Sequence, residues 1–82
     1  MNDMRMAEIT LPASSRTPQR KYYIRTSEIT HIKMYMSVAG FEVIVYMRDV
    51  IALDEKNLTV TQKDYILMQL GLIGDNSNET DD

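Results

Sequence analysis

The residues of this chain that could do chemistry are few and widely spaced. His31 is the only histidine and there is no cysteine, so neither the usual zinc site nor a disulfide is expected. Asp54 and Glu55 are adjacent carboxylates, with no third group in sequence to orient either one as an acid or a base. We therefore predict no enzymatic activity, no metal and no cofactor.

Two short patterns imitate ligand-binding loops. Asp75, Ser77 and Glu79 have the spacing of the first ligands of a calcium loop, but the glycine and the terminal glutamate of such a loop are missing. Residues 71–74, Gly-Leu-Ile-Gly, resemble the Gly-x-x-Gly loop that clamps a nucleic-acid backbone in KH domains. No basic residue accompanies this loop and acidic residues follow it, so phosphate binding is not expected there.

Charge is unevenly distributed along the chain. Residues 1–33 carry six basic and three acidic residues, whereas residues 34–82 carry three basic and nine acidic residues, for a net charge of −3. This asymmetry predicts a basic arm that contacts phosphate or an acidic protein. The alternative is that the charges only keep the protein soluble and protect its sheet edges. The candidate nucleic-acid contacts are Arg16, Arg20, Lys21 and Arg25.

Residues 31–48 predict a central β-hairpin. With Ala39-Gly40 as the turn, Val38 faces Phe41, Met36 faces Val43, Met34 faces Val45 and Ile32 faces Met47. Side chains alternate across a strand, so these residues share one side of the hairpin, which we expect to form the core. The other side carries Ser37 with Glu42, Tyr35 with Ile44, Lys33 with Tyr46 and His31 with Arg48.

The second side of the hairpin is the candidate partner-binding surface. An apolar centre with a charged rim is the usual anatomy of a protein interface. The predicted contact residues are Lys33, Tyr35, Ile44, Tyr46 and Arg48. The alternative is that the helix or an N-terminal strand of the same chain covers this surface.

The remaining elements follow from apolar alternation, turn residues and helix caps. Residues 1–11 alternate weakly and form either an edge strand or a loose segment. The other expected elements are a linker over 12–19, strands at 21–25 and 50–53, a polar loop at 54–57, and a helix over about 61–70 that Thr61 caps and Gly71 ends.

Together these elements predict an α+β fold, with a small antiparallel sheet of three or four strands and one C-terminal helix. The expected organisation is a flexible N-terminal arm (1–19), a single small domain (20–73) and a disordered acidic tail (74–82). A domain of this size buries only about 60% of its unfolded surface, so association with itself or with a partner would supplement its stability.

No segment predicts membrane insertion or export. The apolar run at 43–47 is far shorter than a membrane-spanning helix, and the N-terminus mixes charged residues among its apolar ones. The expected location is the cytoplasm, with no membrane contact.

Two resemblances bear on function. The segment 24–32, Ile-Arg-Thr-Ser-Glu-Ile-Thr-His-Ile, with the hairpin after it, is similar to the opening of LytTR-type DNA-binding domains; it carries over no base-contacting residue. The whole chain resembles the small accessory regulators of temperate phages, in its length, its lack of cysteine, its basic arm, its single β-rich unit and its acidic tail. The specific resemblance is to the Bof (Lxc) corepressor type, which implies a protein that strengthens a phage repressor's hold on its operator.

The functional prediction is a small non-enzymatic regulator that acts by binding a protein, as a corepressor or adaptor that stabilises a repressor on DNA. Its expected partners are a protein such as a DNA-bound repressor, the DNA backbone, and a second copy in a homo-oligomer. Two alternatives are a protein that binds nucleic acid directly through the basic arm, and a phage-type inhibitor of a host enzyme or defence protein.

Overall fold

A computed structural model describes residues 5–73, which form five β-strands, one α-helix and a single 3₁₀ turn at Thr26–Glu28. Residues 1–4 and the predicted acidic tail at 74–82 lie outside the described residues. The elements are β1 (Met6–Leu11), β2 (Arg20–Arg25), β3 (Ile29–Ser37), β4 (Gly40–Met47), β5 (Val50–Leu58) and α1 (Val60–Gln69). The α+β class is confirmed. The five strands exceed the three or four predicted, and they form two antiparallel sheets, β1-β2 and β3-β4-β5.

The folded unit begins before residue 20, within the segment predicted to be a flexible arm. β1 pairs with β2 along its whole length, and its Ala7, Ile9 and Leu11 are buried in the core. The weak alternation of residues 1–11 therefore corresponds to a strand over residues 6–11. The following segment, 12–19, has no regular structure, as its composition predicted.

The central hairpin is present, but its predicted register is wrong by two residues. Its turn is Val38-Ala39, so that Met36 faces Phe41 and Met34 faces Val43. Gly40 is the first residue of β4, with φ of +132°, and a Cβ there would lie 2.7 Å from the carbonyl oxygen of Leu58. This close approach of β5 explains why glycine occupies a strand position. The two-residue shift keeps the side chains of the paired residues on their predicted sides of the hairpin, whereas Val38 and Arg48 lie in turns.

The predicted polar loop at 54–57 is wrong, because β5 continues through it to Leu58. A β-bulge at Lys56-Asn57, opposite Glu42, permits this continuation, and Asn57 takes the positive φ of 57° that bulges often require. A second bulge lies at Ala52. Glu55 is buried within this stretch by contacts to β2, described below.

α1 begins two residues earlier than the predicted cap at Thr61 implied. Thr59 is the N-cap: its hydroxyl accepts from the backbone of Gln62, and the Gln62 side chain accepts from the backbone of Thr59. The predicted end of the helix is confirmed. Gly71 has φ of +78°, and the N–H of Leu72 donates to the carbonyl of Leu67 at 2.9 Å, as in a Schellman motif.

The core lies between one side of the three-stranded sheet and a layer made of β1, β2 and α1. Val43, Val45 and Leu53 supply the sheet side of this core. The prediction that the whole inner side of the hairpin is core is wrong at its tip, where Met34, Met36 and Val38 are exposed. The residues facing the sheet in this core are Ala7, Ile9, Leu11, Ile24, Ile66 and Leu70. Within residues 5–73, no helix is long and apolar enough to cross a bilayer.

Candidate protein-binding face

The side of the three-stranded sheet opposite the core forms a continuous surface, which we call the open face. Strand pairing places its residues in rows: Tyr35 beside Glu42, Lys33 beside Ile44 and Asp54, and His31 beside Tyr46 and Ile51. Val43, Val45 and Leu53 alternate with these residues and point into the core, so the open face points away from it.

No element within residues 5–73 covers the open face. α1 contacts β1, β4 and β5, and its buried residues join the core on the other side of the sheet. On the open face, Tyr35 and Ile51 are each 51% exposed, while Ile44 and Tyr46 are half-buried between their neighbours. The sequence left two possibilities, a surface covered by another part of the same chain and an exposed surface. Within residues 5–73 the surface is exposed.

Tyr46 is the centre of the open face. The His31 ring stacks on it, with ring centroids 4.2 Å apart and an angle of 11° between the planes. The Lys33 ammonium lies 5.5 Å from the centroid of the same ring, within reach of a cation–π interaction. These contacts fix the aromatic ring and draw both basic side chains of β3 inward over the sheet.

The charged rim of the open face is not neutralised by ion pairs within residues 5–73. None of the ion pairs formed among residues 5–73 includes Lys33, Glu42 or Asp54. On this face Lys33 lies on β3, Glu42 on β4 and Asp54 on β5, and Lys56 of β5 lines the same pocket as Tyr35 and Glu42. Arg48, predicted as part of this rim, is an exposed residue of the β4–β5 turn with φ of 59°, outside the strand rows.

The four predicted nucleic-acid contacts are not brought into one cluster. Arg16 lies exposed in the loop between β1 and β2, and Arg20 points inward to Glu55. Lys21 and Arg25 lie on the exposed side of β2, where they approach Glu8 at 3.5 Å and Glu28 at 3.7 Å. Such exposed pairs contribute little stability, but each carboxylate offsets the positive potential that would attract phosphate.

Arg20 belongs to a network that joins the two sheets. Its guanidinium donates to both carboxylate oxygens of Glu55 and, at 2.7 Å, to the carbonyl of Pro18. The Tyr22 hydroxyl also donates to Glu55. Burial of Glu55 opposes its ionisation, but the hydrogen bonds from Arg20 and Tyr22 outweigh burial and lower the pKa of this carboxyl.

The same network changes the other two groups. Burial, followed by the hydrogen bond to Glu55, raises the pKa of Tyr22 to about 12. The hydrogen bond to Glu55 also raises the pKa of Arg20 above its usual value, so the guanidinium stays charged. The hydroxyl and guanidinium already satisfy the carboxylate, which makes this a structural network rather than an acid–base pair.

Two residues of the open face were not predicted from the sequence. Ile51 and Asp54 belong to β5, where the predicted strand and polar loop divided them. The bulge at Ala52 sets Ile51 opposite Tyr46, and a bulge shifts alternation by one residue. Strict alternation from Val50 therefore does not predict that Ile51 and Asp54 lie on the same side of β5.

Within residues 5–73, no group of three or more histidine, cysteine or acidic side chains is placed to hold a metal ion. No protein-family model, no curated protein and no solved structure matches this chain.

Proposed function

We propose that this chain is a small non-enzymatic regulator that binds a protein partner through the open face. The observation that carries this proposal is the uncovered row of His31, Tyr46 and Ile51 beside Tyr35 and Ile44. Aromatic side chains at the centre of a partly apolar patch are typical anchors of protein interfaces, because their burial releases much water for little lost flexibility.

The rim gives such an interface its specificity. Lys33 on one strand and Glu42 and Asp54 on the others present both signs of charge, with no ion pair among the described residues to neutralise them. A partner with complementary charges would align on the face in one orientation, and misaligned partners would meet like charges.

Within this class, the role we favour is that of a cytoplasmic corepressor or adaptor that strengthens a repressor's hold on DNA, as the Bof-type resemblance implies. The open face would contact the repressor, and the exposed basic residues Arg16, Lys21 and Arg25 would lie near the DNA backbone. This division fits the overall acidic composition, with a pI of about 5.0, which disfavours strong binding to DNA alone.

Arg20 is the weakest of the proposed backbone contacts. Its guanidinium is committed to Glu55 and to Pro18, so contact with phosphate would leave the buried carboxylate with Tyr22 as its remaining donor and no positive charge beside it. Substitution of Arg20 would also disturb folding. The basic residues to test for DNA contact are therefore Arg16, Lys21 and Arg25.

The test compares two aromatic positions on different sheets, the half-buried Tyr46 and the exposed Tyr23. Tyr46→Ala removes the centre of the open face, and the control Tyr23→Ala removes a tyrosine that is 60% exposed on β2. Each variant is used to capture proteins from the native host, and the captured repressor is then tested in gel shifts with its operator. We expect Tyr46→Ala to weaken the free energy of binding to the captured partner by about 2 kcal/mol or more, with little dependence on salt. Tyr23→Ala should bind the partner as the wild type does.

Thermal melts of both variants establish that they are folded. Equal capture by the wild type and by folded Tyr46→Ala would contradict the proposal. A wild-type chain that shifts DNA by itself, with steep salt dependence that Lys21→Glu reduces, would instead support direct nucleic-acid binding. Stoichiometric binding to a host enzyme without DNA would support the inhibitor alternative.

A further inference from the structure

The outer edge of β3 is a second surface that lacks a partner within residues 5–73. In the order β3-β4-β5, β3 pairs with β4 along one side only. It contains no proline and no acidic residue, and Met34 and Met36 are 48% and 76% exposed. Soluble proteins normally protect such edges with charges, prolines or bulges, because unpaired backbone groups otherwise pair with another strand.

The other edge of the same sheet shows these protections. β5 carries two bulges and the charged run Asp54-Glu55-Lys56, and β2 packs against it through Arg20 and Tyr22. β3 has one bulge, at Thr30, and is regular from His31 to Ser37. Lys33 would protect this edge, but its ammonium lies over Tyr46 of its own sheet.

The hairpin geometry determines which backbone groups point outward from β3. In a two-residue turn, the carbonyl of the first flanking residue accepts from the N–H of the last, which makes Ser37 and Gly40 a hydrogen-bonded pair. Hydrogen-bonded and non-hydrogen-bonded pairs alternate along an antiparallel ladder. The backbone groups of Ile32, Met34 and Met36 are therefore those that point to the open edge.

We propose that two copies of this chain associate by antiparallel pairing of β3 with β3, about a two-fold axis at Met34. The regular run from His31 to Ser37 has Met34 at its centre. Pairing about this axis therefore aligns the two runs over their full length. Each Met34 then faces Met34 of the second copy, and each Ile32 faces Met36 of the second copy. The residues that pair through hydrogen bonds are those whose backbone groups point outward.

Side-chain charge favours the same axis. Pairing about Met34 places Lys33 opposite Tyr35 of the second copy, so no two like charges lie opposite each other. An axis at Lys33 would place two ammonium groups directly opposite each other, which is unfavourable across a strand pair. An axis at Tyr35 would place His31 opposite Ala39 in the turn and shorten the ladder.

The resulting sheet has six strands, three from each copy, and the two open faces become continuous across the axis. This interface is a strand edge with a few apolar side chains, and interfaces of that size form weak, reversible complexes. The pairing uses the edge of β3 and does not depend on what the open face binds.

The chain has no cysteine, so single substitutions can report the register. Met34→Cys places one thiol at the axis, with about 5.5 Å between the two Cα atoms, a separation that a disulfide can bridge. The matched control Met36→Cys is exposed on the same side of β3, but its two copies would lie about 14 Å apart along the ladder. We expect mild oxidation to convert Met34→Cys to a covalent dimer and to leave Met36→Cys without a covalent cross-link.

Sedimentation of the wild-type chain over a wide concentration range tests association without cysteine. We expect a reversible dimer whose dissociation constant rises roughly tenfold or more in Met34→Lys, and is unchanged in Val50→Lys, which alters an exposed apolar residue of β5. A wild-type chain that remains monomeric throughout would overturn the proposal. Equal cross-linking of the two cysteine variants, or equal dissociation by the two lysine variants, would also overturn it.

Discussion

Glu55 accepts two hydrogen bonds from Arg20, from Nε at 3.1 Å and from Nη2 at 2.9 Å. Glu55 belongs to the three-stranded sheet and Arg20 to the two-stranded sheet, so this pair ties the two sheets together. At 8% exposure, Glu55 is the one charged residue among 5–73 that is buried. A buried carboxylate is costly without donors, and the forked guanidinium supplies two of them.

The first prediction concerns acid stability. The pKa of Glu55 is lower in the folded state than its ordinary value of 4.5, so the unfolded state binds this proton more tightly. The stability from Glu55 is present above pH 4.5 and is lost as the pH falls from there through the lowered pKa. We expect Glu55→Gln to lower the unfolding free energy at pH 7 by about 1–3 kcal/mol. On acidification, the unfolding free energy of this variant should decline less than that of the wild type.

Urea unfolding at several pH values measures both effects. Asp54→Asn is the control, because this neighbouring carboxylate is exposed, and we expect it to change stability by about 0.5 kcal/mol or less. An acid profile of Glu55→Gln that parallels the wild-type profile would show that the carboxylate does not stabilise the fold.

The second prediction concerns alkaline stability. Burial and the hydrogen bond to Glu55 raise the pKa of Tyr22 from 10.0 to about 12, so the folded state binds this proton more tightly. Its contribution is present below pH 10 and is lost as the pH rises to about 12. We expect Tyr22→Phe to lose about 1 kcal/mol at pH 7 and to show a smaller alkaline decline. Tyr23→Phe, at an exposed position, should retain the wild-type profile in the same melts.

The third prediction compares two glycines with positive φ. Alanine at Gly40 would place its Cβ 2.7 Å from the Leu58 carbonyl oxygen, in a backbone region that side chains rarely adopt. At Gly71 the nearest atom is a guanidinium nitrogen of Arg5 at 3.9 Å, so the cost is conformational only. We expect Gly40→Ala to destabilise by about 3 kcal/mol or more and Gly71→Ala by about 1 kcal/mol. Equal losses in chemical unfolding would mean that β5 moves to accept the new methyl group.

The sequence predicted which side of the hairpin each paired residue occupies, because alternation depends only on whether residue positions are odd or even. It did not predict the register, since Ala39-Gly40 and Val38-Ala39 both keep that alternation. In the structure the backbone of Leu58, a residue of a third strand, lies so close to Gly40 that no side chain fits there. A turn chosen from two neighbouring residues cannot include that contact.

The charged segment at 54–57 was mispredicted for a related reason. Asp, Glu, Lys and Asn are residues typical of loops, but here Glu55 is held in β5 by Arg20 and Tyr22 of a distant strand. Tertiary hydrogen bonds thus outweighed local propensity. Because 54–57 was predicted to be a loop, Asp54 was not included in the candidate site. Alternation alone correctly grouped Tyr35, Ile44 and Tyr46 on one side of the hairpin.

The last prediction separates the inner side of the hairpin into a buried part and an exposed tip. The sequence treats Met36 and Val43 alike, as neighbouring core residues, but Met36 is 76% exposed and Val43 is fully buried. A charge at Val43 would lose its hydration with no partner to replace it, whereas a charge at Met36 would remain in water. We therefore expect Val43→Asp to unfold a domain whose total stability is about 5 kcal/mol, and Met36→Asp to change that stability by less than about 1 kcal/mol.

Thermal melts at low protein concentration make the comparison, because dilution removes any contribution from association through β3. If Met36→Asp unfolds the dilute protein as Val43→Asp does, the hairpin tip must pack against the chain, and β3 would not present the exposed edge described above.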